Sequence, residues 1–449
     1  MKSRCPARDP YSRVLAAVVR KFLVTLLFVV EIPRSWASDG PRAWRQRPSG
    51  NFSLSPRSPR KNKAMRTRIL SNFRRLLRAL YAFLSTHHLS VRAALLTFAI
   101  LFVASSVTPV FAQYVRTDLA SNQPGVAPST DPQHLINSWG LTALPMSPFW
   151  LSDNGSGFST LYTGGGVQVP LFVTIRASAK SPPGTQGTPT GVVGNISPNT
   201  TDFIVTTNAG SGPALFIFAT LDGTISAWTP VADPVVKGQS QATIVADQVV
   251  AGATYTGLAI ATDKEGQTFL YAADGGPNRA VDIYTGAFAF MKSFSDPKIP
   301  KEFTTYGIQA INGEIWVTFT PLNKAQSGFV DVFATDGTLL RHDAIHGPLH
   351  SPWGIALAPA DFGPMSNAIL ISNNISRGRV NAFDPESGAF LGPLRDVNGN
   401  PIEIDNVWAL QFGQDGGANG AHNQLFFTGG PNGYANGIFG VITFGPFGP

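Results

Sequence analysis

The sequence predicts an all-β fold, a six-bladed β-propeller in which four-stranded sheets surround one axis. Three observations lead there. Six similar apolar blocks recur along the chain, a short Gly-centred landmark precedes each block, and no long stretch with helical period follows Gln113. A strand-and-turn unit that cannot bury its own faces must stack on copies of itself, so the repeat sets the architecture.

The landmarks open each repeat. They read SWGL (138–141), PTGV (189–192), YTGL (255–258), TYGI (305–308), PWGI (352–355) and VWAL (407–410). Their third positions, Gly140, Gly191, Gly257, Gly307, Gly354 and Ala409, lie 51, 66, 50, 47 and 55 residues apart, which suits one four-stranded blade each. The blocks come next, as second strands: Phe149–Asn154, Phe203–Asn208, Phe269–Asp274, Ile315–Thr320, Ile369–Asn374 and Leu425–Gly430. A third strand follows at 159–162, 225–228, 281–284, 330–333 and 380–383, rich in aromatic and β-branched residues and followed in most repeats by a Gly turn. The long second interval is filled by loops of that repeat, and the Pro/Gly/Ser-rich stretch 178–189 joins the first blade to the second. Only 40 residues follow Ala409, so the last blade lacks a fourth strand, and Tyr114–Leu119 is expected to supply it. Joining both ends of the folded part in one blade removes an open edge and locks the ring.

Charge and composition place the folded part, residues 113–449, behind a leader. Residues 1–112 hold 20 Lys/Arg against 3 Asp/Glu, and the rest of the chain 14 against 24. The folded part is therefore acidic, and the basic pI gives no ground for a nucleic-acid partner. Arg74, Arg75, Arg78 and Arg92 precede an uncharged run from Ala93 to Val107, then Pro109 and Val110-Phe111-Ala112. Residues 65–112 thus read as a signal peptide cut after Ala112, and the protein as exported: periplasmic, cell-surface or extracellular. An uncleaved membrane anchor is the alternative, although the run is shorter than the roughly 20 residues of a spanning helix. Residues 1–64 read as a disordered leader or as a gene-model extension ahead of a true start at Met65. A second apolar run lies within them at Phe22–Val30, with its own plausible cut at Ser35-Trp36-Ala37. The single cysteine, Cys5, lies in the leader, so the folded part has no disulfide and no thiolate chemistry.

The stretch Pro352–Gly392 (PWGIALAP…ILISN…GRVNAFDPESGAFLG) resembles the NHL-type six-bladed propeller pattern. Together with NSWGL (137–141), SDNGSGFSTLY (152–162), PALFIFATLDGTISAW (213–228) and LFFTGGPNGYANGIFG (425–440), it looks like a family of exported bacterial propellers without an assigned function. The resemblance spans Tyr114–Ile442 and implies a fold and an exported state, but no catalytic residues. Members often carry a Pro-Glu-Pro sorting tail, and the chain ends in Gly448-Pro449 without one.

Strand direction decides where a site is expected. The loop into a first strand and the turn after a second strand share one face of the wheel. Three residues before each anchor stand Asn137, Thr188, Thr254, Thr304, Ser351 and Asn406; the blocks end in Asn154, Asn208, Asp274, Thr320, Asn374 and Gly430. Both sets are expected to ring one mouth of the central channel, with Trp139, Tyr306, Trp353 and Trp408 as its aromatic surface. The binding candidates are Asn137, Trp139, Asn154, Asn208, Asp274, Tyr306, Trp353, Asn374, Asn406 and Trp408, for a small ligand, saccharide or extracytoplasmic protein. The bland reading is that these side chains cap strand ends and that the tryptophans pack between blades.

The favoured function is ligand- or protein-binding without catalysis. The alternative is a calcium-dependent lactonase or hydrolase, with Asn154, Asp274, Asn374 and Asp405 as oxygen ligands in the channel. A purely structural envelope protein is a third reading. Asp396–Asn400 opens like a calcium loop, but Pro401 and Val407 stand where that loop needs Gly and Glu, so it reads as a turn. No G-x-S-x-G and no phosphate-binding Gly loop occurs, and His134 and His350, which precede first strands, are the histidines able to approach the mouth.

Overall fold

A computed structural model describes residues 114–323 and 327–445. The proposed leader, signal peptide and start site lie outside them. The described residues hold strands and two single-turn 3-10 segments, at Val249–Ala251 and Gly363–Met365. Among them no helix is long and apolar enough to cross a membrane.

The strands form six antiparallel sheets in chain order around an axis, a six-bladed β-propeller. Blade one runs Ser138–Thr142, Phe149–Asp153, Phe158–Tyr162 and Gln168–Thr174; blade two Pro189–Gly194, Phe216–Thr220, Thr224–Trp228 and Thr243–Asp247. Blade three runs Tyr255–Thr262, Thr268–Asp274, Ala280–Tyr284 and Phe290–Phe294. Blade four is Phe303–Ile311, Glu314–Pro321, Phe329–Ala334 and Leu339–Ile345; blade five Pro352–Leu357, Ile369–Asn373, Val380–Phe383 and Phe390–Pro393. Blade six is Val407–Phe412, Leu425–Gly429 and Ile438–Phe444, completed by Tyr114–Ser121.

That closure follows the expected pairing. Tyr114 lies opposite Phe444 and Ser121 opposite Ile438. The Tyr114 hydroxyl donates to the Phe362 carbonyl (2.7 Å) and accepts from the Met365 N–H (3.1 Å), so the strand also clasps blade five. Burial pushes its phenol up to about 12.

Two expectations about second strands fail. The second strand of blade two is Phe216–Thr220, not Phe203–Asn208. Residues 204–207 instead pair with Gly210–Pro213 in a separate hairpin, with Asn208 and Ala209 at its tip. Both segments are apolar runs with polar ends, and it is Phe218 of the later one that pairs with Val192 beside the anchor. In blade three the block is displaced by one residue: Leu258 faces Ala272, where the other blades place the third residue of the block. A one-residue slip sends each side chain to the opposite face of the sheet.

The anchors mark the closest approach between blades. A methyl group at Gly140, Gly191, Gly307 or Gly354 would collide with backbone atoms of the next blade's first strand. The first strands also bulge there, with register breaks such as Ser138/Leu141, Pro352/Ile355 and Val407/Leu410. Hydroxyl groups of second strands satisfy the amides that the bulge frees and stitch the wheel. Thr318 Oγ1 accepts from Gly307 N–H and donates to the Pro352 carbonyl of the next blade, both at 2.7 Å. Ser372 does the same between Gly354 and Trp408, and Thr428 between Ala409 and Trp139. Stacked aromatics fill the wider gaps outside this ring, including Trp150 on Phe216 (4.1 Å between centroids) and Phe149 beside Phe426 (4.4 Å).

Candidate functional site

The residues just before the anchors do point to the axis, and they close it. Trp139 stacks on Trp408 with ring centroids 3.7 Å apart. Trp353 meets both edge-on at 6.3 and 5.7 Å, and Tyr306 lies 5.8 Å from Trp408. Leu221, the blade-two residue in the place expected of Asn208, packs into the same cluster. Trp408 is 1% exposed, and Trp139 and Trp353 8% each, so they form a plug and not an open aromatic surface. The Trp353 indole N–H donates across the axis to the Thr256 carbonyl (2.9 Å), which fixes its tilt. The Trp139 indole nitrogen is buried without a hydrogen-bond partner.

Polar candidates surround this plug unevenly. Asn137 and Asn406, with Ser351, take left-handed backbone (φ 48°, 50° and 49°) where the chain enters first strands. Asparagine adopts that conformation more readily than most residues. The Asn137 side chain accepts from the Trp408 indole (3.0 Å) and donates to Asn154 Oδ1 (3.2 Å), and Asn154 donates to the Pro189 carbonyl (3.2 Å). Gly430 leaves the space that Asn137 Oδ1 occupies; a side chain there would strike it. On the far side Asn374 accepts from the Tyr434 hydroxyl (2.8 Å) and more distantly from Tyr306 (3.5 Å), and donates to the Val407 carbonyl (3.3 Å).

Two candidates leave the group. Asn208 sits at the hairpin tip of blade two, away from second-strand ends. Asp274, through the slip in blade three, turns from the axis and caps the following turn, accepting from Thr254 N–H and Gly276 N–H at 2.8 Å each. Burial raises its carboxyl above the usual range. The four oxygen ligands considered for calcium therefore have separate partners: Asn154 in the Asn137 pair, Asn374 under the tyrosines, Asp274 in its turn, and Asp405 accepting from Arg377 N–H (2.6 Å).

One cleft opens beside the plug, between blades five and six, with a volume of about 540 Å³. Asn374, Ser376, Asp405, Asn406, Asn432 and Tyr434 line it. Tyr434 belongs to the turn after the second strand of blade six, where Asn432, Gly433 and Tyr434 all have left-handed backbone (φ 55°, 62° and 72°). A tyrosine is strained in that region, and its ring lies 5.8 Å from Trp408. Sequence reasoning missed Ser376, Asn432 and Tyr434; the run GGPNGYANG announces a turn but not what the turn covers.

The histidines lie elsewhere. His134 hydrogen-bonds Asp131 (2.9 Å) and stacks on Phe172. His350 lines a second cleft of about 590 Å³ in which Glu403 pairs with Arg377 (2.6 Å) and Arg379 (3.1 Å). Asp396 accepts from the Asn398 and Asn400 amides (2.9 and 2.8 Å), closing a turn between two residues of one loop.

No family model matches the chain. Two uncharacterized proteins of Acanthamoeba polyphaga mimivirus are each 28% identical to it, one over 72% of this chain and 78% of its own, the other over 65% and 77%. A third from the same virus is 31% identical over 42% of this chain and 36% of its own. Among solved structures the chain is similar to virginiamycin B lyase from Staphylococcus aureus (11% identity, 74% of this chain, 99% of that chain, TM-score 0.39). It is similar at the same level to a WD40 β-propeller domain (11%, 74%, 97%, TM-score 0.39). Likeness of this degree says nothing of activity; the strand order itself establishes the propeller.

Proposed function

We propose that the protein is a binding scaffold that holds a small polar ligand, a saccharide by preference, in the cleft between blades five and six. The observation that carries this reading is Tyr434, a half-buried aromatic held in strained backbone at the lip of a cleft lined by amides. Strain of this kind costs on the order of 1–3 kcal/mol and concentrates at ligand-binding positions. A cleft of about 540 Å³ suits a mono- or disaccharide. The Asn406 and Asn432 side chains and the Ser376 hydroxyl match an array of sugar hydroxyls in donor and acceptor type, and the Tyr434 ring offers an apolar face to the sugar's C–H groups.

Thermal-shift screening of the purified chain against a saccharide panel tests this. A stabilising sugar whose effect is lost in Tyr434→Ala and Asn406→Ala supports the proposal. A panel without any shift, or a shift indifferent to both substitutions, overturns it.

A calcium-dependent hydrolase is the second reading, favoured by Asp405, whose carboxylate borders the same cleft beside Asn374. Ester or lactone hydrolysis lost on chelation and in Asp405→Asn would establish it over the binder. The exported state belongs to the proposal too, supported by the uncharged run before Val110-Phe111-Ala112 and by the resemblance to exported propellers. An N-terminal peptide beginning at Gln113 in secreted material is the expected result.

A further inference from the structure

Blades three and four carry an aspartate at the same register of the third strand, Asp282 and Asp331, both buried. Blade three satisfies its carboxylate with two hydroxyl donors: Tyr255 to Oδ2 (2.7 Å) and Ser293 to Oδ1 (2.6 Å). Blade four does not repeat this. Where Ser293 stands on the fourth strand, blade four places His342. That strand bulges: Val330 pairs with Ile345 and Val332 with Arg341, so three residues oppose Asp331. Asp343, at φ 49°, donates its N–H to Asp331 Oδ1 (2.7 Å). Asp331 Oδ2 is buried and has no partner.

A second carboxylate enters from the connection between the two blades. Asp296 Oδ2 contacts His342 Nδ1, and the same nitrogen stands 3.5 Å from Asp331 Oδ1. One ligand atom from each of the three residues lies within 4.8 Å of the others. The Asp296 and Asp331 side chains are 0% exposed, and that of His342 is 34% exposed.

Two buried carboxylates cost several kcal/mol each unless a positive charge compensates them. A divalent ion would balance both and give the unpartnered Asp331 Oδ2 a ligand. The donor set, one imidazole nitrogen and two carboxylate oxygens, is that of zinc and its neighbours, whereas calcium and magnesium prefer oxygen alone. Two ligands about 2.0–2.2 Å from a tetrahedral ion stand roughly 3.3 Å apart; the 3.5 Å between His342 Nδ1 and Asp331 Oδ1 fits that spacing, whereas Asp296 Oδ2, now in hydrogen-bond contact with Nδ1, must draw back to admit an ion. We propose that Asp296, Asp331 and His342 form a site for a zinc-class divalent ion, with a fourth position open to water on the exposed side of the imidazole. The ion would tie the blade-three-to-four connection to the bulged strand of blade four.

The test uses the full chain after chelator treatment, titrated separately with zinc, magnesium and calcium. Zinc is expected to raise Tm by about 3–5 °C, and magnesium and calcium to leave it unchanged. Cobalt(II) should give visible d–d absorption at one equivalent. His342→Gln and Asp331→Asn should remove both signals, and circular dichroism reports whether each variant is folded. His422→Gln is the control, because His422 also faces two carboxylates, Asp361 (3.1 Å) and Asp415 (2.8 Å), but at the exposed surface. A zinc response that survives His342→Gln, or that His422→Gln abolishes, overturns the proposal, as does the absence of any zinc-dependent shift.

Discussion

Trp408 and Asn137, 271 residues apart, are joined by a 3.0 Å hydrogen bond from the buried indole N–H to the amide oxygen. The bond spans the seam between the last blade and the first, and it ties the aromatic plug to the polar ring around it. Asn137→Ala leaves the indole without an acceptor, at a cost of about 1–3 kcal/mol, and replaces asparagine in left-handed backbone by a residue that tolerates it less readily. Asn137→Gly removes the same acceptor without that strain and should be milder by about 1 kcal/mol. Urea denaturation of both variants separates the two contributions; equal losses would assign the whole effect to the hydrogen bond.

The anchors differ in how tightly they are held. A methyl at Gly307 would collide with the Trp353 carbonyl, whereas at Gly257 the nearest atom is Ile308 Cγ2 at 3.2 Å. Gly307→Ala should therefore cost about 2 kcal/mol or more by forcing blades four and five apart, and Gly257→Ala under 1 kcal/mol. Chemical denaturation orders the pair, and the reverse order would remove close approach as the reason for glycine at these positions.

Closure by Tyr114–Ser121 makes the N-terminal strand part of every blade's stability. Deletion of residues 113–120 should lower Tm in one cooperative transition, because an open blade six exposes an edge and frees both its neighbours. Tyr114→Phe, which keeps the ring but loses the bonds to Phe362 and Met365, should cost about 1–2 kcal/mol. Unchanged melting in the deletion variant would contradict the closure.

Asp153 gives the wheel a pH dependence with a definite sign. It is buried in blade one, accepts from Ser138 and from Thr160 (2.7 Å), and faces Asp131 and Tyr162. Burial, against the two hydroxyl donors, pushes its carboxyl up to about 7. The folded state thus holds a proton that the unfolded chain releases near pH 4. Its contribution is complete below that point and falls as pH rises to about 7, by about 1.4 kcal/mol per unit at most. Asp153→Asn should flatten this fall, read as the difference between the two proteins' stability from pH 4 to 8.

The ring was legible because it repeats, and its closure because the last repeat falls one strand short. A small residue at each anchor, an apolar second strand and an aromatic, β-branched third strand recur often enough to outvote local ambiguity. Blade two was misread because Phe203–Asn208 and Phe216–Leu221 carry the same apolar signal, and only pairing with Val192 separates them. Blade three was misread by one residue because its first and second strands pair one position further out, with Ala261 opposite Phe269 and Thr262 opposite Thr268, so Asp274 was placed on the wrong face. The plug was hidden for another reason: three indoles and a phenol at equivalent positions read alike whether the channel between them is open or filled. Tyr434 and the Asp296–Asp331–His342 group come from turns and bulges that single copies of the repeat possess, and periodicity carries no information about such departures.

Tyr114 and Phe444 lie side by side in neighbouring strands. A short linker between these positions would give the chain no structural beginning, and new ends could be cut at the exposed turn around Lys264 and Glu265. Circular permutation should then preserve the wheel while moving the burden of sealing it from the sixth sheet to the third.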